Sequence, residues 1–577
     1  MPNALTAMPR LLAFRAKLRA LPLSQHCLLA AINGAVMSLA MAPLFIWPLM
    51  FAVMALMLWQ IDAINFTDRQ QSDEGEKPAS APDKAYSLKA SPLKALTLIG
   101  WSFGFGYFLV TLYWIGASFL VEAEKFALLM PLAVLVLPAL LALFYAAAFL
   151  LTRFYWPNTQ QRIFTLTITL FAVDWLRGHI FTGFPWQLIG HSLTAPPTLM
   201  QSLTLVNLYG LTAFAVLIFA GPAACVREPQ GAASKTTVQR IGAWAPLLLS
   251  LSLLAGLWGY GALRLSASAA NQTTTDVELL LIQPGVSQQD KVRPERRIAA
   301  TKKVIDLTNS TLAKRERLKG TKTRLVIWPE TAILYALNRT KALRQDITKM
   351  LQPRDSLITG AYKVTGESPE KMRVTNSLFV LNNQGDITGS YDKHHLVPFG
   401  EYLPWPELLN SIGLEALVRM RGGFSYGPAP APVKLGNAPA FIPFICYEII
   451  FPRYVADTKN AGWLLNLSND GWFGKTAGPH QHAHMARLRS VETGLPLVRL
   501  ANNGISAIYD GYGLITAILN SDQPGVMQVK LPAVIAKPLT ETMKWAMLML
   551  VLIISVIILT AGNLLTSQAI LSSKTRG

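Results

Sequence analysis

Phe441-Ile-Pro-Phe-Ile-Cys446-Tyr-Glu-Ile-Ile-Phe-Pro452 is an apolar run interrupted by a cysteine. The residues up to Ile445 read as a buried β-strand, with Cys446, Tyr447 and Glu448 at its mouth. Two other stretches end in complementary chemistry: Val326-Ile-Trp-Pro-Glu330 and Tyr391-Asp-Lys393-His-His-Leu-Val-Pro-Phe-Gly-Glu401. A thiol attacks as its thiolate, so it needs a base or a cationic neighbour. Glu330 is the candidate base and Lys393 the candidate cation, and one site holding them with Cys446 suffices for acyl transfer.

Around these motifs, short strands alternate with helical stretches. Strands are expected at 277–283, 324–328, 377–381, 440–445, 463–467, 497–501, 506–510 and 526–531. Helices are expected at 294–318, 341–351 and 480–493. Such interleaving predicts a layered α/β domain.

The remainder is different in kind. The chain of 577 residues is 51% hydrophobic and 15% charged, with about 25% charged being usual for a soluble protein. Its mean hydropathy is +0.33. Apolar runs near the length needed for a bilayer core of about 30 Å fall at 26–42, 44–61, 95–120, 126–151, 163–176, 205–226, 241–263 and 545–564. The first follows a basic N-terminus but runs on too far for a cleaved signal, so it reads as a retained transmembrane segment. With the N-terminus inside, Lys and Arg of the short loops fall on one side at every crossing, which predicts eight spans and an extracytoplasmic 266–541. The expected domains are 1–265 with seven transmembrane helices, a periplasmic catalytic domain at 266–541, and a last helix with a short cytoplasmic tail at 542–577.

The net charge of +19 fits positive-inside topology and anionic headgroups. No basic cluster interleaved with aromatics points to nucleic acid. Three cysteines, Cys27, Cys225 and Cys446, make no disulfide framework. His394-His395 and the group His480, His482 and His484 lack converging metal-ligand spacing, so no metal is expected. No other cofactor is expected either.

Trp-Pro-Glu330, Lys393-His-His-Leu-Val-Pro-Phe-Gly-Glu401 and Cys446-Tyr-Glu-Ile-Ile-Phe-Pro resemble the three signatures of the nitrilase (carbon–nitrogen hydrolase) superfamily. Leu467-Ser-Asn-Asp-Gly-Trp-Phe-Gly474 and Asn502-Asn-Gly504 extend the match. With the membrane segments, nearly the whole chain is similar to the apolipoprotein N-acyltransferase family of double-membraned bacteria. Asp174-Trp-Leu-Arg177 and Gly183-Phe-Pro-Trp186 also look family-like.

The resemblance implies a nitrilase-like αββα sandwich carried on a membrane α-helical bundle. It implies Glu330 as base, Lys393 as oxyanion stabiliser and Cys446 as nucleophile, with Glu401, Tyr447 and Glu448 in support. The implied reaction moves an acyl group from a membrane phospholipid, through a cysteine thioester, to the N-terminal cysteine α-amine of a diacylglyceryl apolipoprotein. The expected setting is the bacterial inner membrane, with the lipid bilayer as partner and the protein as a monomer. Two other readings share the residues: a membrane-bound amidase or nitrilase releasing product to water, and a non-catalytic lipid or lipoprotein binder.

Overall fold

The computed structural model of the chain describes residues 9–73, 90–157, 160–226, 237–268, 273–368, 370–407, 423–455, 458–535, 538–554 and 556–557. It divides into two compact units. One comprises Met1–Gly116, Leu128–Arg264 and Leu539–Gly577, and the other Ala117–Ala127 and Leu265–Pro538.

The first unit is helical. Helices cover Leu23–Leu39, Leu49–Asp73, Pro92–Leu112, Met130–Leu151, Arg162–Arg177, Leu208–Ala224 and Thr237–Ser266, one at each expected N-terminal segment. Three stretches, Pro92–Phe119, Ala123–Leu151 and Trp244–Ser266, are long and apolar enough to cross a membrane. Leu23–Leu39, Leu49–Asn65 and Leu208–Ala224 are apolar but shorter. The second helix starts at Leu49 rather than at 44, because Pro43 and Pro48 bracket non-helical chain. Residues 541–554 are helical, while 555 and 558–564 of the eighth expected segment lie outside the described residues. So do residues 74–89 and the tail residues Lys574 and Arg576.

Small residues let the helices approach closely. A Cβ on Gly106 would collide with the Ala31 carbonyl oxygen, and one on Gly104 would stand 2.8 Å from Ala142 Cα. The two family-like motifs of this unit form one buried network. Arg177 donates to Asp174 Oδ1 (3.0 Å) and to the carbonyls of Phe184 (2.9 Å) and Trp186 (2.8 Å). Asp174 Oδ2 accepts from the Ile189 N–H at 2.9 Å. The helix end thereby fixes a loop whose Phe181, Thr182 and Gln187 have positive φ. Asp174→Ala leaves the Arg177 cation buried without its counter-charge, so it should cost about 3–5 kcal/mol. A thermal melt of the purified variant in detergent measures this as a clear fall in midpoint.

The second unit contains two sheets. In chain order the strands are β1 (Thr274–Gln283), β2 (Thr323–Ile327), β3 (Ile333–Ala336), β4 (Asp355–Thr365), β5 (Arg373–Leu381), β6 (Ile387–Asp392), β7 (Phe441–Ile445), β8 (Trp463–Ser468), β9 (Leu497–Ala501), β10 (Ser506–Tyr509), β11 (Ile515–Leu519) and β12 (Gly525–Pro532). The first sheet runs β12-β1-β2-β4-β5-β6, with β3 against β4, and the second β11-β10-β9-β8-β7. Neighbours β1, β2 and β4 are parallel, as are β7, β8 and β9.

Alternation along the strands builds the layers. Leu279, Leu281, Leu325, Ile327 and Ile358 face a common core with Phe441, Ile445, Leu465, Leu467 and Val498 of the other sheet. The opposite face of the first sheet, including Leu280, Val326 and Leu357, packs on Val304 and Ile347 of the helices Arg297–Lys314 and Lys341–Thr348. The helix Gly478–Thr493 packs on β9 and β10. The domain is thus an α/β sandwich of the expected layering. Strands β3, β4 and β11 were not among the expected elements, and β6 was expected only as a strand end at Tyr391-Asp392.

Candidate active site

The C-terminal ends of three strands supply the three motifs. Glu330 follows β2, Lys393 follows β6, and Cys446 follows β7. Lys393 Nζ lies 2.8 Å from Glu401 Oε1 and 3.9 Å from Glu330 Oε1. Asn376, on β5, donates to both carboxylates, at 2.7 Å to Glu330 Oε1 and 3.2 Å to Glu401 Oε1. Glu401 Oε2 accepts from the Val397 N–H at 2.8 Å. Glu330 Oε2 is buried and has no hydrogen-bond partner among the described residues, so it is the oxygen able to receive a proton.

The electrostatics follow from burial in a small charged cluster. Burial raises the Glu330 carboxyl against the pull of the Lys393 charge, and Glu401 adds to the rise. Burial alone would lower the Lys393 ammonium, but Glu401 and Glu330 outweigh it and hold it above the ordinary lysine range. Burial, then the negative charge of Glu330, pushes the Cys446 thiol up to about 12, with Lys393 opposing. At neutral pH the thiol is therefore protonated, beside a carboxylate made more basic and a firmly charged ammonium. That combination can deprotonate sulfur as it attacks, and can stabilise an oxyanion.

Cys446 itself sits at φ +53°, in the left-handed region. Its carbonyl oxygen accepts from Asn466 Nδ2 (3.3 Å) and faces His482 Nε2 (3.1 Å). His482 Nδ1 faces Asp470 Oδ1 at 3.1 Å and Arg499 Nη2 at 3.2 Å. Burial and the Arg499 charge keep the ring below the usual histidine range, so it is neutral. The Cys446 carbonyl and the Asp470 carboxylate can both only accept, so a neutral ring with one N–H donates to one of them at a time. Arg499 also pairs with Asp470 at 2.6 Å and hydrogen-bonds Asn466. Cys446, Asp470 and His482 are the one close His/Cys/Asp/Glu trio among the described residues. The guanidinium seated on Asp470 makes this a support for the cysteine turn rather than a cation site.

Glu448 links the two halves of the site. Its Oε1 accepts from Tyr391 Oη (2.7 Å) and from the N–H groups of His394 (2.7 Å) and His395 (2.9 Å). Its Oε2 accepts from the Ile445 N–H at 2.7 Å. One buried carboxylate thus ties the backbone after Lys393 to the backbone before Cys446. In Glu448→Gln an amide N–H₂ must face one of these donors, so the variant should lose roughly 1–3 kcal/mol. Chemical denaturation followed by tryptophan fluorescence would register the loss. Tyr447 is buried and packs edge-on against Phe451, with ring centroids 5.1 Å apart. His394 Nδ1 faces the Gly427 carbonyl (2.8 Å) and His395 Nδ1 the Tyr454 hydroxyl (2.9 Å).

Residues 286–537 match the carbon-nitrogen hydrolase family. Residues 33–221 match the apolipoprotein N-acyltransferase N-terminal domain. The chain is 39% identical over 517 residues to the apolipoprotein N-acyltransferase of Rhodopseudomonas palustris, covering 89% of this chain and 90% of that one. The chain belongs to the apolipoprotein N-acyltransferase family. It is also 37% identical over 516 residues to the family member from Brucella melitensis, covering 88% and 90%. Among solved structures, an amidase from Nesterenkonia sp. aligns with 45% of this chain and 92% of its own, at 18% identity and a TM-score of 0.33. The protein is accordingly an enzyme of an acyltransferase family within the carbon–nitrogen hydrolases, and its buried Cys446 fits a catalytic cysteine.

The structure also places around this family's site residues that sequence reasoning passed over. Asn466 and Arg499 are polar residues in mostly apolar strands, and that contrast was the available signal, whereas Asn376 sits between Thr375 and Ser377 and carried none. Of the three helix histidines, His482 is the one that reaches Cys446.

Proposed function

We propose that the protein transfers a fatty acyl group from a membrane phospholipid to the N-terminal cysteine α-amine of diacylglyceryl apolipoproteins. The observation that carries this reading is the convergence of Glu330, Lys393 and Cys446 in one buried cluster, on a chain whose other unit contains bilayer-length apolar helices.

In the first step Glu330 takes the Cys446 proton while sulfur attacks the ester carbonyl carbon. Lys393 stabilises the oxyanion. The carbon–oxygen bond then breaks, Glu330 returns the proton to the departing alkoxide, and a lysophospholipid leaves behind a thioester. In the second step the α-amine attacks the thioester carbonyl, Glu330 takes its proton, and the Cys446 thiolate leaves and is reprotonated. An α-amine with a pKa near 8 is mostly protonated at neutral pH, so this step needs a base. Glu401 holds Lys393, Glu448 holds the two backbone segments, and Tyr447 shapes the wall beside the nucleophile.

The charge pattern of the loops supports eight spans in the inner membrane and a periplasmic domain at 266–541. The acceptor distinguishes this reading from hydrolysis. Purified protein in mixed micelles of phospholipid and a diacylglyceryl lipopeptide should yield N-acylated lipopeptide and lysophospholipid in equal amounts. Free fatty acid with unmodified lipopeptide would instead establish a hydrolase, and no turnover at all a binding protein.

A further inference from the structure

Behind Glu330 lies a second lysine. Lys291 stands on a short helix, Gln288–Val292, and is 6% exposed. Its Nζ donates to the carbonyl oxygens of Glu330 and Thr331, each at 3.2 Å, and meets Thr331 Oγ1 at 3.5 Å. An ammonium has three donors, and these three acceptors use them. The helix is anchored in turn. Ser287 Oγ accepts from the Asp290 N–H (3.1 Å), and Gln288 Oε1 accepts from Asn469 Nδ2 (2.8 Å) just beyond β8.

The turn that Lys291 grips is strained. Thr331 has φ +45°, rare for a β-branched residue. On the strand side Gly360 of β4 touches the same turn, and a Cβ there would stand 2.6 Å from both Glu330 Cα and Thr331 N. The Glu330 backbone is therefore confined between a glycine and a buried ammonium. Charge points the same way. The charged and titratable groups that act on Glu330 and its thiol partner are Lys393, Glu401, Cys446, Asp470 and Lys291. Beside Glu330, two carboxylates face one ammonium, Lys393, and Lys291 supplies the second positive charge.

We propose that Lys291 is a positioning residue for Glu330: its ammonium holds the Glu330–Thr331 turn by its carbonyls and keeps the Glu330 carboxylate ionised to receive the Cys446 proton. This rests on the reading of Glu330 as the base. Burial brings Lys291 itself down to about 7, and the Glu330 charge resists that fall, so each ion sustains the other.

Full-length Lys291→Met, Lys291→Gln and Lys291→Arg would be assayed for phospholipid-to-lipopeptide transfer between pH 5 and 9, with a thermal melt of each. Removing the positive charge raises the Glu330 carboxyl further. The acid limb of kcat should therefore move to higher pH by about half a unit or more in the Met and Gln variants. At neutral pH kcat should fall about tenfold or more, with KM for phospholipid within about twofold. The Arg variant should keep the wild-type acid limb. Gln retains a hydrogen-bond donor without charge, so it carries the test should the Met variant fail to fold. An unmoved acid limb, or activity within twofold of wild type in the neutral variants, overturns the proposal. Glu330→Gln is measured alongside. If it stays active, the base assignment fails; if it is dead while Lys291→Gln is unaffected, only the role of Lys291 fails.

Discussion

Cys446→Ser should lower transfer by on the order of 10⁴-fold or more while leaving the fold intact. Serine is nearly isosteric, and the contacts of Asn466 and His482 with the φ +53° turn are made to the Cys446 carbonyl oxygen, which the change leaves in place. The chemistry changes instead. A hydroxyl is far harder to ionise than a thiol, even one pushed up to about 12. Glu330 would have to remove a proton from a much weaker acid, with the same single ammonium to stabilise the product. An oxygen ester, once formed, is also a poorer acyl donor to an amine than a thioester. Both half-reactions suffer, so lysophospholipid release and lipopeptide acylation should fall together. Retention of more than about 1% of activity with an unchanged melt would remove Cys446 from the nucleophile's role.

Lys393→Met should cost about 10²–10³-fold in acylation, the size of effect seen when a principal oxyanion donor is lost. A second signature separates this from a general loss of structure. In the wild type, Lys393 sits 2.8 Å from Glu401 and 3.9 Å from Glu330. Removing it takes away the main positive charge that opposes burial at Glu330, with the Glu401 charge still close by, so Glu330 ionises with more difficulty. Its folded-state pKa rises further above that of the unfolded chain, so the folded variant binds more protons. The variant's stability is therefore greatest at low pH and is lost as pH rises through the raised value. Melting midpoints of wild type and variant should lie closest near pH 5 and furthest apart near pH 8. A gap that is constant with pH would show that Lys393 does not offset the Glu330 charge.

How much of this was legible in the sequence depends on where each residue's partners lie. Glu330 and Cys446 each close an apolar run with a reactive side chain, and Lys393 opens a distinctive motif ending at Glu401; such local contrast survives in one dimension. β4 did not, although it is the central neighbour of β2. Its Gly360 and polar flanks weaken the strand pattern, and the glycine is there because the Glu330 turn packs on it. His482 and Lys291 were invisible as site residues because nothing local marks them and their partners lie 36 and 39 positions away. The helical segments were legible by hydropathy, but their ends were set by Pro43, Pro48 and the Asp174–Arg177 network. Length alone could not locate them.

The central claim is that Cys446 carries the acyl group between donor and acceptor, and intact-protein mass spectrometry tests it most directly. Protein incubated with a phospholipid of defined acyl chains, without acceptor, should gain the mass of one acyl group minus one proton. Peptide mapping should place it on Cys446, and added lipopeptide amine should remove it. Efficient transfer to the lipopeptide with no such adduct, or with the adduct on another residue, would contradict the account.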